Sequence, residues 1–192
     1  MQQASFFSDK FAAALGYEDY VRTGTDEQQR RWKQTYDAAA KAVTDEHRAA
    51  LAGFVREMNV LIVSGIWCGD CVQQCPLIQR LAEVNPTKVR VKLIDRDEHK
   101  DLSGQFTVNQ GNRVPVTIFL AEDFEFVGAF GDRTLHRYRA IARRQLGASC
   151  PTGLAAPDPD ELAATTQDWM NEIERVQLLL RLSPRLRAAH AD

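Results

Sequence analysis

The chain has no long apolar run, no strong charge of either sign and few cysteines. Its longest apolar stretch lies near Val60 to Val63, far short of the roughly 20 residues needed to cross a bilayer as a helix. No membrane association is expected. The N-terminus, Met1-Gln2-Gln3-Ala4-Ser5-Phe6-Phe7, lacks the basic leader and apolar core of a secretory signal, so a cytoplasmic location is expected. A formal net charge of −2 supplies no general field for holding nucleic acid. Basic residues do gather at Arg133-Thr134-Leu135-His136-Arg137-Tyr138-Arg139 and Arg143-Arg144, at a spacing that fits a solvated helix face. Four cysteines in 192 residues are too sparse for a disulfide scaffold. In a reducing compartment, clustered cysteines point to catalysis or metal binding. No internal repeat or low-complexity segment stands out.

With 44% hydrophobic and 26% charged residues, the chain has the make-up of a globular protein with one main core. Trp32, Tyr36, Ala39 and Val43 recur at helical steps, and Leu51, Phe54, Val55 and Met58 continue an apolar face. Two helices are expected between Asp26 and Met58, capped by Thr25 or Asp26 and by Thr44 or Asp45. Asn59-Val60-Leu61-Ile62-Val63-Ser64 then reads as a buried strand. A helix follows through Leu77, Ile78, Leu81 and Val84 and stops near Asn85-Pro86. Val89, Val91 and Leu93 alternate with Lys88, Arg90 and Lys92, giving a strand with one polar face. A short helix from Glu98 to Phe106 precedes a third strand, Val114 to Leu120. A turn at Glu122-Asp123 leads into a fourth, Phe124 to Phe130, and a helix covers Arg133 to Leu146.

The resulting order, β-α-β-α-β-β-α, implies an α/β fold: a mixed sheet between helical layers, parallel where helices cross over and antiparallel in the last hairpin. Residues 1–58 form a helical extension and 59–147 the α/β domain. Residues 148–192 form a Pro-rich linker and an amphipathic helix marked by Leu162, Thr166, Trp169, Ile173, Val176 and Leu180. That last face either closes the core or meets a second copy or a dedicated partner.

The cysteines carry the chemistry. Cys68 and Cys71 stand at the end of the buried strand, where the next helix begins. Unpaired N–H groups and a partial positive charge at a helix N-terminus stabilise a thiolate. Cys68 is the candidate nucleophile, and Cys71, one turn on, can resolve a mixed disulfide. The exchange needs only these two sulfurs, so no cofactor or metal is expected. Cys68-x2-Cys71-x3-Cys75-Pro76 also echoes part of a metal-cluster motif. The remaining cysteine, Cys150, is distant, however, and His47, His99, His136 and His190 show no ligand pairing. Cys75 reads as a small packing residue, with a regulatory disulfide to Cys150 as the alternative.

Trp67-Cys68-Gly69-Asp70-Cys71, with Pro76 inside the following helix, resembles the active-site segment of the thioredoxin family, with Asp in place of the usual Pro. Val114-Pro115-Val116-Thr117 is similar to the segment in which that family places its cis-proline. The resemblance spans roughly residues 59 to 147 and implies a thioredoxin-like fold with extra helices at both ends. It further implies that Pro115 is cis beside the dithiol and that the Val114 backbone can pair with a substrate strand. Trp67, Gly69 and Asp70 would shape the site. The implied activity is protein-disulfide reduction. Disulfide-containing proteins would be the substrates, and a flavin-containing thioredoxin reductase or a low-molecular-weight thiol would recycle the oxidised Cys68–Cys71 pair. A homodimer through the terminal helices fits the amphipathic pattern. A redox-sensing or partner-binding module with little turnover is the alternative.

The residues also depart from that pattern. Asp70 puts a carboxylate between the cysteines, which is expected to oppose ionisation of Cys68, or else serves as an acidic first-turn residue. Ile62 occupies the position where thioredoxins carry a buried Asp, which leaves water, Asp70 or Glu57 to receive the Cys71 proton. Asn109-Gln110-Gly111-Asn112-Arg113 reads as a turn or as a rim to the site. Gly128 and Gly131 read as close-approach glycines or as part of a bulge.

Overall fold

Strand β1 (Met58–Ser64) is buried along its whole length, as a β-branched, apolar run dictates once both faces are covered. The computed structural model describes residues 2–146 and 161–192. The linker read at Ser149 to Pro159, with Cys150 in it, lies outside these described residues. Four helices precede β1: α1 (Gln2–Ala13), α2 (Tyr17–Arg22), α3 (Asp26–Ala42) and α4 (Asp45–Ala52). The order then runs α5 (Gly69–Ala82), β2 (Val89–Asp95), α6 (Lys100–Ser103), β3 (Val116–Ala121) and β4 (Phe126–Gly131). Helices α7 (Leu135–Leu146), α8 (Glu161–Leu182) and α9 (Pro184–His190) complete the described chain.

The sheet order is β2-β1-β3-β4. β1 pairs in parallel with β2 and antiparallel with β3, and β3 pairs antiparallel with β4. The strand alternation predicts a parallel third strand, and the structure corrects this. Helix α6 has four residues, about 6 Å of rise, too little to carry the chain back along the sheet. β3 therefore starts at the end where β2 stops, with Val116 opposite Val63. The same geometry brings Pro115 to the end of β1 from which the cysteines emerge.

Thr25 and Thr44 close capping boxes on α3 and α4, each satisfying an orphan N–H of the first turn. The chain before residue 25 adds two helices that the periodicity did not reveal. Phe7 from α1 stacks on Phe126 at a centroid distance of 5.9 Å, and Leu15 exchanges backbone hydrogen bonds with Leu93, covering the open edge of β2. At the other end, Trp169 meets Phe130 edge-on at 5.1 Å, and Trp169, Ile173, Val176 and Leu180 are buried. The apolar face of α8 thus closes the core within one chain. Gln177 fixes this helix by accepting from the Arg56 N–H and donating to the Arg56 carbonyl, at 2.9 and 3.0 Å. No helix among the described residues is long and apolar enough to cross a membrane.

Candidate active site: a dithiol at a helix N-terminus

Cys68 is the N-cap of α5, with extended backbone angles. A tight turn sets it there, the Cys68 N–H donating to the Gly65 carbonyl at 2.9 Å. The Cys68 sulfur is half-buried, whereas Cys71 and Cys75 are fully buried, and all three are free thiols. Of these three, only Cys68 can be reached from solvent. Its thiol donates to the Val114 carbonyl at 3.5 Å, and the Val114–Pro115 peptide is cis. Trp67 is 48% exposed, and its indole lies against Gly65, where an added Cβ would come within 2.9 Å of the ring. Arg96 stacks over the same indole at 4.8 Å. The Cys68 sulfur thus adjoins the cis Val114–Pro115 peptide, whose residues are themselves buried, while the exposed Trp67 precedes it in the same turn. Gly69 opens α5, and a Cβ there would meet no neighbour.

Two opposing influences act on the sulfurs. The Cys71 thiol beside it and burial push Cys68 up from its ordinary value, while the N–H groups of Cys71 and Asp70 pull it down. Burial pushes Cys71 up as well. The N–H groups at the helix terminus do favour a Cys68 thiolate, as the sequence implies, but the neighbouring thiol and burial outweigh them. Ionising one sulfur makes the other harder to ionise, so the two protons belong to the pair.

The carboxylate of Asp70 does not face the dithiol. It is bridged to Arg133 at 2.7 Å and to Arg137 at 3.1 Å. Arg137 in turn holds Glu161 at 2.7 Å, tying the start of α5 to α7 and α8. Cys68 is raised by its neighbouring thiol and by burial, while Asp70, an acidic first-turn residue, has its carboxylate met by two guanidiniums and its N–H pulling Cys68 down. Gln74, a buried side chain with no signal in the sequence, reinforces this junction. It donates to the Asp132 carbonyl at 2.8 Å and accepts from the Thr134 N–H at 3.3 Å.

The candidate proton acceptors resolve differently. Glu57 pairs with Arg90 at 3.6 Å, next to the end of β1 remote from the cysteines, and is corrected as an acceptor for Cys71. Ile62 is fully buried in β1. The groups around Cys71 are instead Gly65, whose N–H donates to its sulfur at 3.5 Å, and Ser64 and Cys75, whose side chains lie 4.0 Å apart. Among the described residues no group of three His, Cys, Asp or Glu side chains is placed to hold a metal.

The surrounding segments have simpler roles. Asn109 and Gln110 both take positive φ, and Val108 and Gly111 exchange backbone hydrogen bonds across them, forming a tight two-residue turn. Gly131 is a close-approach glycine: a Cβ would come within 2.6 Å of Val108. Gly128 adjoins the register shift opposite Phe119 and Leu120.

A family model described as thioredoxin matches residues 14–142. The chain belongs to the thioredoxin family. Among solved structures, the thioredoxin-like chain is similar to a Pseudomonas aeruginosa protein of unknown function. That match has 17% identity and a TM-score of 0.69 and covers 88% of this chain and 96% of the other. It is similar also to an HIV epitope scaffold at 16% identity and a TM-score of 0.68, covering 88% and 97%. At such identities these likenesses speak to the fold alone. No curated protein matches the chain.

Proposed function

We propose that this thioredoxin-family protein reduces disulfides in protein substrates by dithiol–disulfide exchange. The observation that carries the reading is the half-exposed Cys68 sulfur at the start of α5, against Val114, with Cys71 buried one turn behind. Cys68 loses its proton, attacks one sulfur of the substrate and expels the other as a thiolate, leaving a Cys68–substrate disulfide. Cys71 then loses its proton and attacks Cys68. The Cys68–Cys71 bond forms, the second substrate sulfur departs, and the two electrons the substrate gains are those the dithiol gives up.

Val114 and Pro115 lie just before the first residue of β3, outside its ladder. This fits pairing of the Val114 backbone with an extended substrate segment, while the exposed Trp67 ring supplies an apolar wall. The raised Cys68 thiol favours the reducing direction, because strong oxidants of this kind owe their potential to a stabilised thiolate. A reducing compartment such as the cytoplasm suits that direction. Either a flavin-containing reductase or a low-molecular-weight thiol would return the pair to the dithiol.

Insulin reduction in the presence of dithiothreitol tests the reading. The wild-type protein is expected to accelerate precipitation of the insulin B chain well above dithiothreitol alone, and Cys68→Ser to return the rate to that background. A wild-type rate equal to the background would refute it.

A further inference from the structure

Arg96 follows β2 directly and takes no part in the exchange steps, yet three segments around the site meet on it. Its N–H donates to the Ser64 carbonyl at 2.9 Å, at the end of β1. Its guanidinium lies over the Trp67 indole, 4.8 Å from the ring centre. One terminal nitrogen donates to the Asn112 carbonyl at 3.1 Å, and Asn112 stands two residues before Val114. The opposite edge of the guanidinium is held by Asp97, whose carboxylate accepts from Nε and the other terminal nitrogen at 3.0 and 3.1 Å. That two-point pairing fixes the plane of the fork. Asp97 is fixed in turn, its N–H donating to the Asp95 carboxylate at 2.7 Å. A second thread joins the same pieces. The Arg96 carbonyl accepts from the Ser103 hydroxyl at 3.1 Å, and the Asn112 side-chain amide donates to that hydroxyl at 3.4 Å.

We propose that Arg96 is a positioning residue for the substrate: it holds the Trp67 ring and the segment from Asn112 to Val114 in fixed relation. An extended segment carrying a disulfide then finds its apolar wall and its pairing backbone already in place. The inference rests on the disulfide-exchange reading above. Folding stability gives Arg96 no comparable reason. Its side chain is 20% exposed and that of Asp97 53%, and an ion pair so open to solvent adds little to stability. What the clamp supplies is order in groups that would otherwise have to be fixed as the substrate binds. A half-exposed indole loses rotamer freedom on meeting a ligand, and holding it beforehand removes that cost from binding. The planar fork matters as much as the charge. An ammonium cannot lie flat on the ring while donating to Asp97 and Asn112 together. The hydrogen bonds of Arg96 run to Ser64, Asp97, Ser103 and Asn112, so attack and resolution are left to the two sulfurs.

Two reactions of full-length protein carrying Cys150→Ser separate positioning from chemistry: steady-state insulin reduction with dithiothreitol, and reaction of Cys68 with Ellman's reagent, a small disulfide. Arg96→Ala is expected to raise KM for insulin on the order of tenfold and to leave kcat within about twofold. The rate with Ellman's reagent also stays within about twofold, because a small disulfide needs neither the wall nor the pairing backbone. Arg96→Lys, which keeps charge and stem but not the fork, is expected to raise KM about threefold. Trp67→Ala raises KM as well, and adding Arg96→Ala to it has less effect than in the parent protein, since part of what the clamp holds is gone. An unchanged KM in Arg96→Ala, an Arg96→Lys protein indistinguishable from the parent, or fully additive effects with Trp67→Ala would each overturn the clamp. Equal slowing of both reactions also overturns it, because that marks a general distortion. If the parent protein itself reduces no insulin, the exchange reading fails, and the positioning role with it.

Discussion

Trp32→Ala is expected to destabilise the protein by about 3–5 kcal/mol, the usual cost of emptying a large aromatic site in a core. Trp32 in α3 is fully buried. It meets Tyr17 and Tyr20 at centroid distances of 5.9 and 5.6 Å, and its indole N–H donates to the Ile66 carbonyl at 2.9 Å. The effect therefore divides into packing and positioning. Trp32→Phe preserves most of the packing and removes the bond to Ile66, and is expected to cost about 1 kcal/mol. Its larger consequence is for chemistry, since Ile66 immediately precedes Trp67 and Cys68 and the bond holds that loop over the start of α5. Urea denaturation followed by circular dichroism gives the first quantity, and the exchange rate at a temperature where both proteins are folded gives the second. A loss for Trp32→Ala within 1 kcal/mol would mean that the extension is not part of the core on which the site rests.

Asp70→Ala is expected to lower stability by about 2 kcal/mol and Tm by roughly 4–8 °C. The carboxylate is only 15% exposed and the Arg137 side chain 10%, so removing Asp70 leaves partly buried guanidiniums with fewer partners. Glu161 still holds Arg137, and Asp132 lies 3.8 Å from Arg133, which keeps the loss below that of a fully buried pair. The thiol responds in a definite sense. With the carboxylate gone, Arg133 and Arg137 present unbalanced positive charge near the start of α5, and the Cys68 pKa falls. Arg137→Ala acts oppositely, leaving Asp70 less neutralised and raising Cys68. Thermal melts and the pH dependence of alkylation of Cys68 by iodoacetamide check both. A change in stability within 0.5 kcal/mol for Asp70→Ala would show that the carboxylate behaves as an ordinary surface charge.

These two sites also mark how far the sequence could be read. Trp67 to Cys71, Pro115 and the strand periodicities were visible because they are local. A dithiol after an apolar run, or a Pro at the head of one, carries its meaning in a few adjacent residues. The direction of the Asp70 side chain depends on Arg133 and Arg137, more than 60 residues away, and no periodicity encodes it. Glu57 was close to the cysteines in sequence but seven strand residues intervene, about 23 Å at 3.3 Å each. Helices α1 and α2 are not legible in the sequence because α2 has six residues and the apolar residues of this region find meaning only against Phe126, Leu93 and Trp32.

The central claim is that Cys68 is the sulfur that meets substrate and Cys71 the one that releases it. It is tested most directly by incubating the Cys71→Ser protein with a disulfide-containing protein such as insulin and locating any mixed disulfide by peptide mass spectrometry. The account predicts a stable adduct at Cys68, absent when Cys68 is also replaced by serine. No adduct, or one carried by Cys75 or Cys150 in place of Cys68, would contradict it.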